Sequence, residues 1–151
     1  MAIDPAVIGR ILPGHEALAE RGRLRFFAKA IGETDPLYFD VEAAKAAGHR
    51  DLPVPPTFLF CLEMEKPDPF VLLRELEIDV RNILHGEQAF EYHTLAYAGD
   101  TLAYASTVTD SYSKKGGALD FLVRKTDVTR DGELIARLTN TLVVRNPKAQ
   151  K

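Results

Sequence analysis

A chain of 151 residues, 46% hydrophobic and 27% charged, has enough apolar material for one folded core and too little length for two, so a single domain over residues 1–151 is expected. Nineteen Lys and Arg against 22 Asp and Glu leave a net charge of −3, and with no basic stripe this argues against nucleic acid and anionic membrane surfaces as partners. The lone Cys61 has no disulfide partner, no Cys/His spacing suits zinc, and no apolar run approaches the ~18 residues of a membrane span; the expectation is a cytoplasmic protein with no metal and no cofactor.

In chain order, Asp4-Pro5 reads as an N-cap with proline in the first helical position, opening a short helix that ends before Pro13-Gly14. From Arg23 to Ile31 the residues Leu24, Phe26, Phe27, Ala30 and Ile31 recur at helical spacing, and Gly32 follows as a C-terminal cap. Asp40 caps a second short helix, Val41 to Ala47, stopped by Gly48. The apolar stretch Thr57 to Leu62 follows Pro53, Pro55 and Pro56, and its pattern fits strand or helix equally. Lys66 to Asn82 reads as a flap with a helical turn around Phe70 to Leu76. Four strands are predicted next, Glu87–Ala98, Thr101–Ser113, Ala118–Arg130 and Glu133–Arg145, with Asp131-Gly132 a tight-hairpin signal. They are expected to form an antiparallel meander. In the third, Leu119, Phe121 and Val123 alternate with Asp120, Leu122 and Arg124, so one face should be buried and the other mixed, with the Arg23–Ile31 helix as the cover. The tail Asn146–Lys151 is polar and expected to fray. The class is α+β.

Acid–base chemistry near neutral pH calls first for histidine beside a carboxylate. His15 and His49 fall in connections and His93 on a strand, positions that water explains. His85 differs, because Leu84-His85-Gly86-Glu87-Gln88 gathers three polar side chains around a glycine at a strand entrance. Residues two apart on an extended chain point the same way, so His85 and Glu87 could share a face while Gly86 admits a ligand or another backbone. A bulge at Gly86 would equally explain the segment. The loop Gly32-Glu33-Thr34-Asp35-Pro36-Leu37-Tyr38 could likewise be a helix cap followed by an Asp-Pro turn.

Phe27 to Gly32 followed by Glu33-Thr34-Asp35-Pro36-Leu37-Tyr38-Phe39-Asp40 resembles the hydratase motif of the MaoC-like family, whose members have the hot-dog fold. Pro55-Pro56-Thr57-Phe58, then Leu84 to Gln88 with Phe90, Tyr92 and Ala98-Gly99-Asp100-Thr101-Leu102, resemble the fatty-acid-synthase-type dehydratase subgroup and its N-terminal hot-dog halves. The resemblance runs from about Asp4 to Arg145. It implies a curved antiparallel sheet wrapped around one main helix, pairing of two such units, and reversible hydration of a trans-2-enoyl thioester to the (R)-3-hydroxyacyl thioester.

Active members of that family carry Gly-Asp-x-Asn-Pro-x-His, and this chain departs from it at every polar position: Glu33 for the aspartate, Asp35 for the asparagine, Tyr38 for the histidine. A phenol with a reference pKa of about 10 is a poor base at neutral pH. The resemblance therefore implies either of two roles. The chain is the non-catalytic half of a two-hot-dog unit that binds an acyl-CoA or acyl-carrier-protein thioester beside a catalytic hot-dog partner. Alternatively it is a self-sufficient homodimer using His85 and Glu87, or Glu33; thioester hydrolysis has no positive support. Pro56, Thr57, Phe58, Gly86 and Gln88 are the expected substrate-binding residues.

Overall fold

The computed structural model describes residues 3–146. It contains five strands, β1 (His15–Leu18), β2 (Ile83–Tyr92), β3 (Thr101–Lys114), β4 (Leu119–Arg130) and β5 (Glu133–Arg145). Four helices, α1 (Arg21–Ala30), α2 (Val41–Ala46), α3 (Phe58–Glu63) and α4 (Val71–Glu75), precede or interrupt them. The Asp4-Pro5 signal yields a single 3₁₀ turn, Pro5–Val7, in which Asp4 accepts the N–H of Ala6 at 2.9 Å.

The hairpin between β4 and β5 forms as its sequence dictates. Asp131 and Gly132 take φ of 50° and 82°, the left-handed pair that lets a two-residue turn follow the twist of its strands. β3, β4 and β5 are a meander, but β2 is not its first strand. The sheet order is β1-β3-β4-β5-β2, entirely antiparallel, so β2 pairs with β5 at the far edge instead of with β3. After Tyr92 the predicted strand leaves the sheet. The N–H groups of His93 and Thr94 both donate to Ile135 O, and the chain then pairs with the segment before α3, Val54 N donating to Ala96 O and Ala98 N to Leu52 O, each at 2.9 Å. The alternation that continues past Tyr92 is real extended chain with a different neighbour.

The expected cover is also replaced. The helix against the sheet is α3, whose Phe58, Leu59, Leu62 and Glu63 are buried. Tyr104 on β3 donates its hydroxyl to Leu59 O at 3.1 Å, and Thr126 on β4 donates to Glu63 Oε1 at 2.9 Å. An element that is apolar on nearly every side belongs inside. α1 buries only Leu24 and Ala28 and leaves Phe26 exposed; its Phe27 ring meets Phe58 of α3 at 5.0 Å between centroids. Leu24, Leu52, Leu62, Leu102, Ile135 and Leu138 are fully enclosed, and burial of each such side chain is worth about 1.5–3 kcal/mol.

On β4 the more deeply buried face is the polar-bearing one: Asp120, Leu122, Thr126 and Val128 are buried, whereas Leu119, Phe121 and Val123 are only half-buried. The polar groups tolerate this because they find partners, Asp120 accepting from Ser113 and from Asn146 Nδ2, and Thr126 lying 2.8 Å from Ser106. Asn146 is thereby anchored rather than frayed; the remainder of the expected tail, 147–151, lies outside the described residues.

Candidate functional site

Gly32 closes α1 with φ 77°, and the chain enters the Glu33–Tyr38 loop. Asp35 caps the turn Pro36–Tyr38, accepting the N–H of Leu37 at 3.1 Å. The Glu33 carboxylate folds back on its own loop: Oε1 accepts the N–H of Thr34 at 2.8 Å and of Asp35 at 2.9 Å. The bond from Asp35, then that from Thr34, hold the Glu33 carboxyl below its usual range. Half-buried Tyr38 moves the other way, burial first and then the negative charges of Glu33 and Asp35 raising its phenol above the ordinary value. A carboxylate made less basic and a phenol made less acidic are a poor pair for moving protons at neutral pH.

The Leu84–Gln88 segment opens β2. Gly86 sits in a bulge, and a Cβ there would lie 2.8 Å from Val143 Cγ2 and 3.2 Å from Thr141 O. Across the bulge His85 faces Leu142 and Glu87 faces Thr141, consecutive residues of β5 that point to opposite sides of the sheet. The shared face expected for His85 and Glu87 is therefore lost to the extra residue. His85 instead meets Phe60 of α3 edge-on at 6.1 Å, and Gln88 Oε1 accepts Asn140 Nδ2 at 3.0 Å. His85, Gln88 and Thr57 line one open cavity of about 400 Å³ with Phe27, Phe60 and Phe90.

The other three expected binding residues diverge from it, Gly86 being taken up by the bulge. Pro56 lines a separate apolar cavity of about 360 Å³ with Tyr92 and Leu95, and Phe58 is buried against Phe27. His15, read as a surface residue, is half-buried on β1: its ring stacks on Tyr104 at 4.9 Å and Nε2 lies 3.0 Å from Leu62 O. His49 Nδ1 lies 3.2 Å from the Tyr97 hydroxyl, and His93 is exposed beside Glu91.

A buried ionic cluster beneath α3 went unread in the sequence. Glu63, fully buried, lies 3.1 Å from Arg124 Nη2 and 3.9 Å from Lys66 Nζ. Burial and the neighbouring Arg124 together outweigh Glu63 and bring the Lys66 amine down to about 8. Glu63 Oε2, Arg124 Nε and Asn140 Oδ1 find no hydrogen-bond partner among the described residues. The available signal was Glu63 itself, a charge four residues after Leu59 in an otherwise apolar run, and so on the same helix face.

Residues 6–138 match the FAS1-like, dehydratase domain region. The chain belongs to that family. Relatives of this FAS1-like dehydratase chain include a UPF0336 protein of Saccharopolyspora erythraea, 38% identical over 147 residues and covering 96% of this chain and 93% of its own. A UPF0336 protein of Clavibacter michiganensis is 36% identical over 150 residues, covering 99% and 100%. Among solved structures, the C-terminally truncated HadBC (3R-hydroxyacyl-ACP dehydratase) complex of Mycobacterium tuberculosis is similar at a TM-score of 0.75 and 29% identity, over 91% of this chain and 96% of that one. A MaoC-like dehydratase superposes at a TM-score of 0.82 and 23% identity, over 95% of this chain but 43% of its longer one, a likeness of fold. The α+β hot-dog architecture and the MaoC-like resemblance both hold, and the likeness to HadBC supports a function of the dehydratase type.

Proposed function

We propose that this chain is the acyl-thioester-binding, non-catalytic hot-dog subunit of an (R)-specific enoyl-thioester hydratase, equally a 3-hydroxyacyl-thioester dehydratase, and that a second hot-dog chain with an unbroken Gly-Asp-x-Asn-Pro-x-His motif supplies the acid and base. One observation carries this reading: at the motif, Glu33 Oε1 is turned back onto the N–H groups of its own loop and Tyr38 is driven away from ionisation. Glu33 is left a weakened base and Tyr38 a neutral phenol, a poor pair for activating water.

What the chain contributes is shape. The cavity lined by Phe27, Thr57, Phe60, His85, Gln88 and Phe90 offers an aromatic wall for an acyl chain and few polar contacts to orient it, the usual make-up of a small-molecule site. Among the described residues β2 is an edge strand paired with β5 alone, and a free edge favours association with a second sheet. The similar HadBC structure is a complex, which supports a paired assembly for this chain. The thioester is carried by CoA or by an acyl carrier protein, in the cytoplasm.

Co-expression with a hot-dog chain bearing the unbroken motif tests the partnership: a single mixed species on a sizing column is expected, and two separate peaks contradict it. The self-sufficient alternative retains one observation in its favour, the exposed His85 on the cavity wall. Under that reading His85→Ala abolishes turnover of the lone chain.

A further inference from the structure

Phe60 and His85 line not one cavity but two. Beyond them, between α3, α4 and β5, lies a second space of about 190 Å³, walled by Phe70, Leu73 and Leu142 and reaching Lys66 and Arg124. At about 30 Å³ per water-sized group it has room for some six such groups. Its apolar walls suit the tail of a chain, but its inner end does not.

The Lys66 side chain is nine-tenths buried, yet its ammonium donates no hydrogen bond among the described residues, its nearest carboxylate oxygen being Glu63 Oε1 at 3.9 Å. Arg124 already holds that same oxygen, at 3.1 Å. Two cations thus share one buried anion, leaving the cluster one positive charge in excess, with the three N–H donors of Lys66 turned to the water of the cavity. A purely hydrocarbon tail reaching this point would strip water from an unpaired ammonium, which is costly.

Resting on the acyl-thioester reading, we infer that the second cavity receives the far end of an acyl chain bearing a carboxylate, held by Lys66 through charge-assisted hydrogen bonds. A carboxylate supplies acceptors only, which matches the open donors, and its charge closes the excess. Burial first, and then the charge of Arg124, bring the Lys66 amine down to about 8, the two effects that an added carboxylate would offset. His85 and Phe60, which line both spaces, form the boundary between them that the chain would have to pass.

The test is calorimetric titration of the full chain, in the assembly it adopts, with CoA thioesters of straight acids of six to twelve carbons, their ω-hydroxy forms and the mono-thioesters of the matching diacids. At one length the diacid form should bind at least about tenfold more tightly than the plain acyl form, the net worth of one charge-assisted bond. In Lys66→Met and Lys66→Gln that ratio should fall to near one. No diacid preference at any length, a preference for the ω-hydroxy form over the diacid, or a preference that survives both variants overturns the inference while leaving thioester binding in place. Failure of every thioester to bind overturns both.

Discussion

His85 and Glu87, two residues apart on β2, look out from opposite sides of the sheet, because the bulge at Gly86 sets them against the successive β5 residues Leu142 and Thr141. A single bound group cannot meet both. The arrangement removes a carboxylate partner for His85 and leaves its imidazole beside Phe60, as part of a wall.

That bulge should be intolerant of side chains. In Gly86→Ala the new methyl would fall 2.8 Å from Val143 Cγ2 and 3.2 Å from Thr141 O. A loss of about 1–3 kcal/mol in urea unfolding is expected. Adding Val143→Ala should recover part of it, since the closer contact is with a side chain and the other with backbone.

Lys66 gives the protein an alkaline dependence of definite sign. Its folded value of about 8 lies below the 10.5 of the free side chain, so between these the unfolded chain holds a proton that the folded chain has released. Stability should therefore rise with pH across that window. Tyr104, forced up by burial and then by Glu63, acts in the opposite sense: above about pH 10 the unfolded phenol ionises, the folded one does not, and stability falls. Melting temperatures at pH 7 to 9.5 should climb for the natural sequence and stay flat for Lys66→Met. Parallel curves would contradict this.

Much of the fold could be read in advance, and the failures share a cause. Asp131-Gly132 and the alternation through β3, β4 and β5 are local signals that tertiary packing did not override. Strand order is not local: β2 goes to β5 because the stretch after Tyr92 pairs with Leu52 and Val54, distant partners that periodicity does not reveal. The pattern points to the wrong cover because Phe58–Glu63 is too short and too uniformly apolar to show a period, while α1 shows one on the strength of Phe26, which faces solvent. At the site, the replacements at Glu33, Asp35 and Tyr38 were plain from the residues, whereas the Glu63–Lys66–Arg124 cluster joins a helix end, a flap and a strand, which only the fold brings together.

Asp100, part of the Ala98–Leu102 signature, should prove structural. It is buried and accepts from Arg50, from Arg130 at 2.8 Å and from the N–H of Tyr97 at 2.9 Å. Burial opposes its ionisation, and the bonds from Arg50 and Arg130 outweigh that and keep the carboxyl below 3.8. Its stabilisation is present above that value and lost as pH falls through the lower folded one. Asp100→Ala should cost about 3 kcal/mol at pH 7 and progressively less as the pH falls below 3.8, read from urea midpoints.

Tyr38→Phe should change turnover by the two-chain complex less than about threefold, because a phenol held away from ionisation gives up no proton that matters. Replacing the histidine of the partner's motif by alanine should remove turnover altogether. Steady-state hydration of crotonyl-CoA by the mixed complex measures both.

The most direct measurement is the hydration rate of crotonyl and longer enoyl-CoA thioesters by the purified chain alone, then after addition of a hot-dog chain with the unbroken motif. Turnover is expected only in the mixture. Sustained turnover by the lone chain, abolished by Glu33→Gln or Tyr38→Phe, would contradict the account.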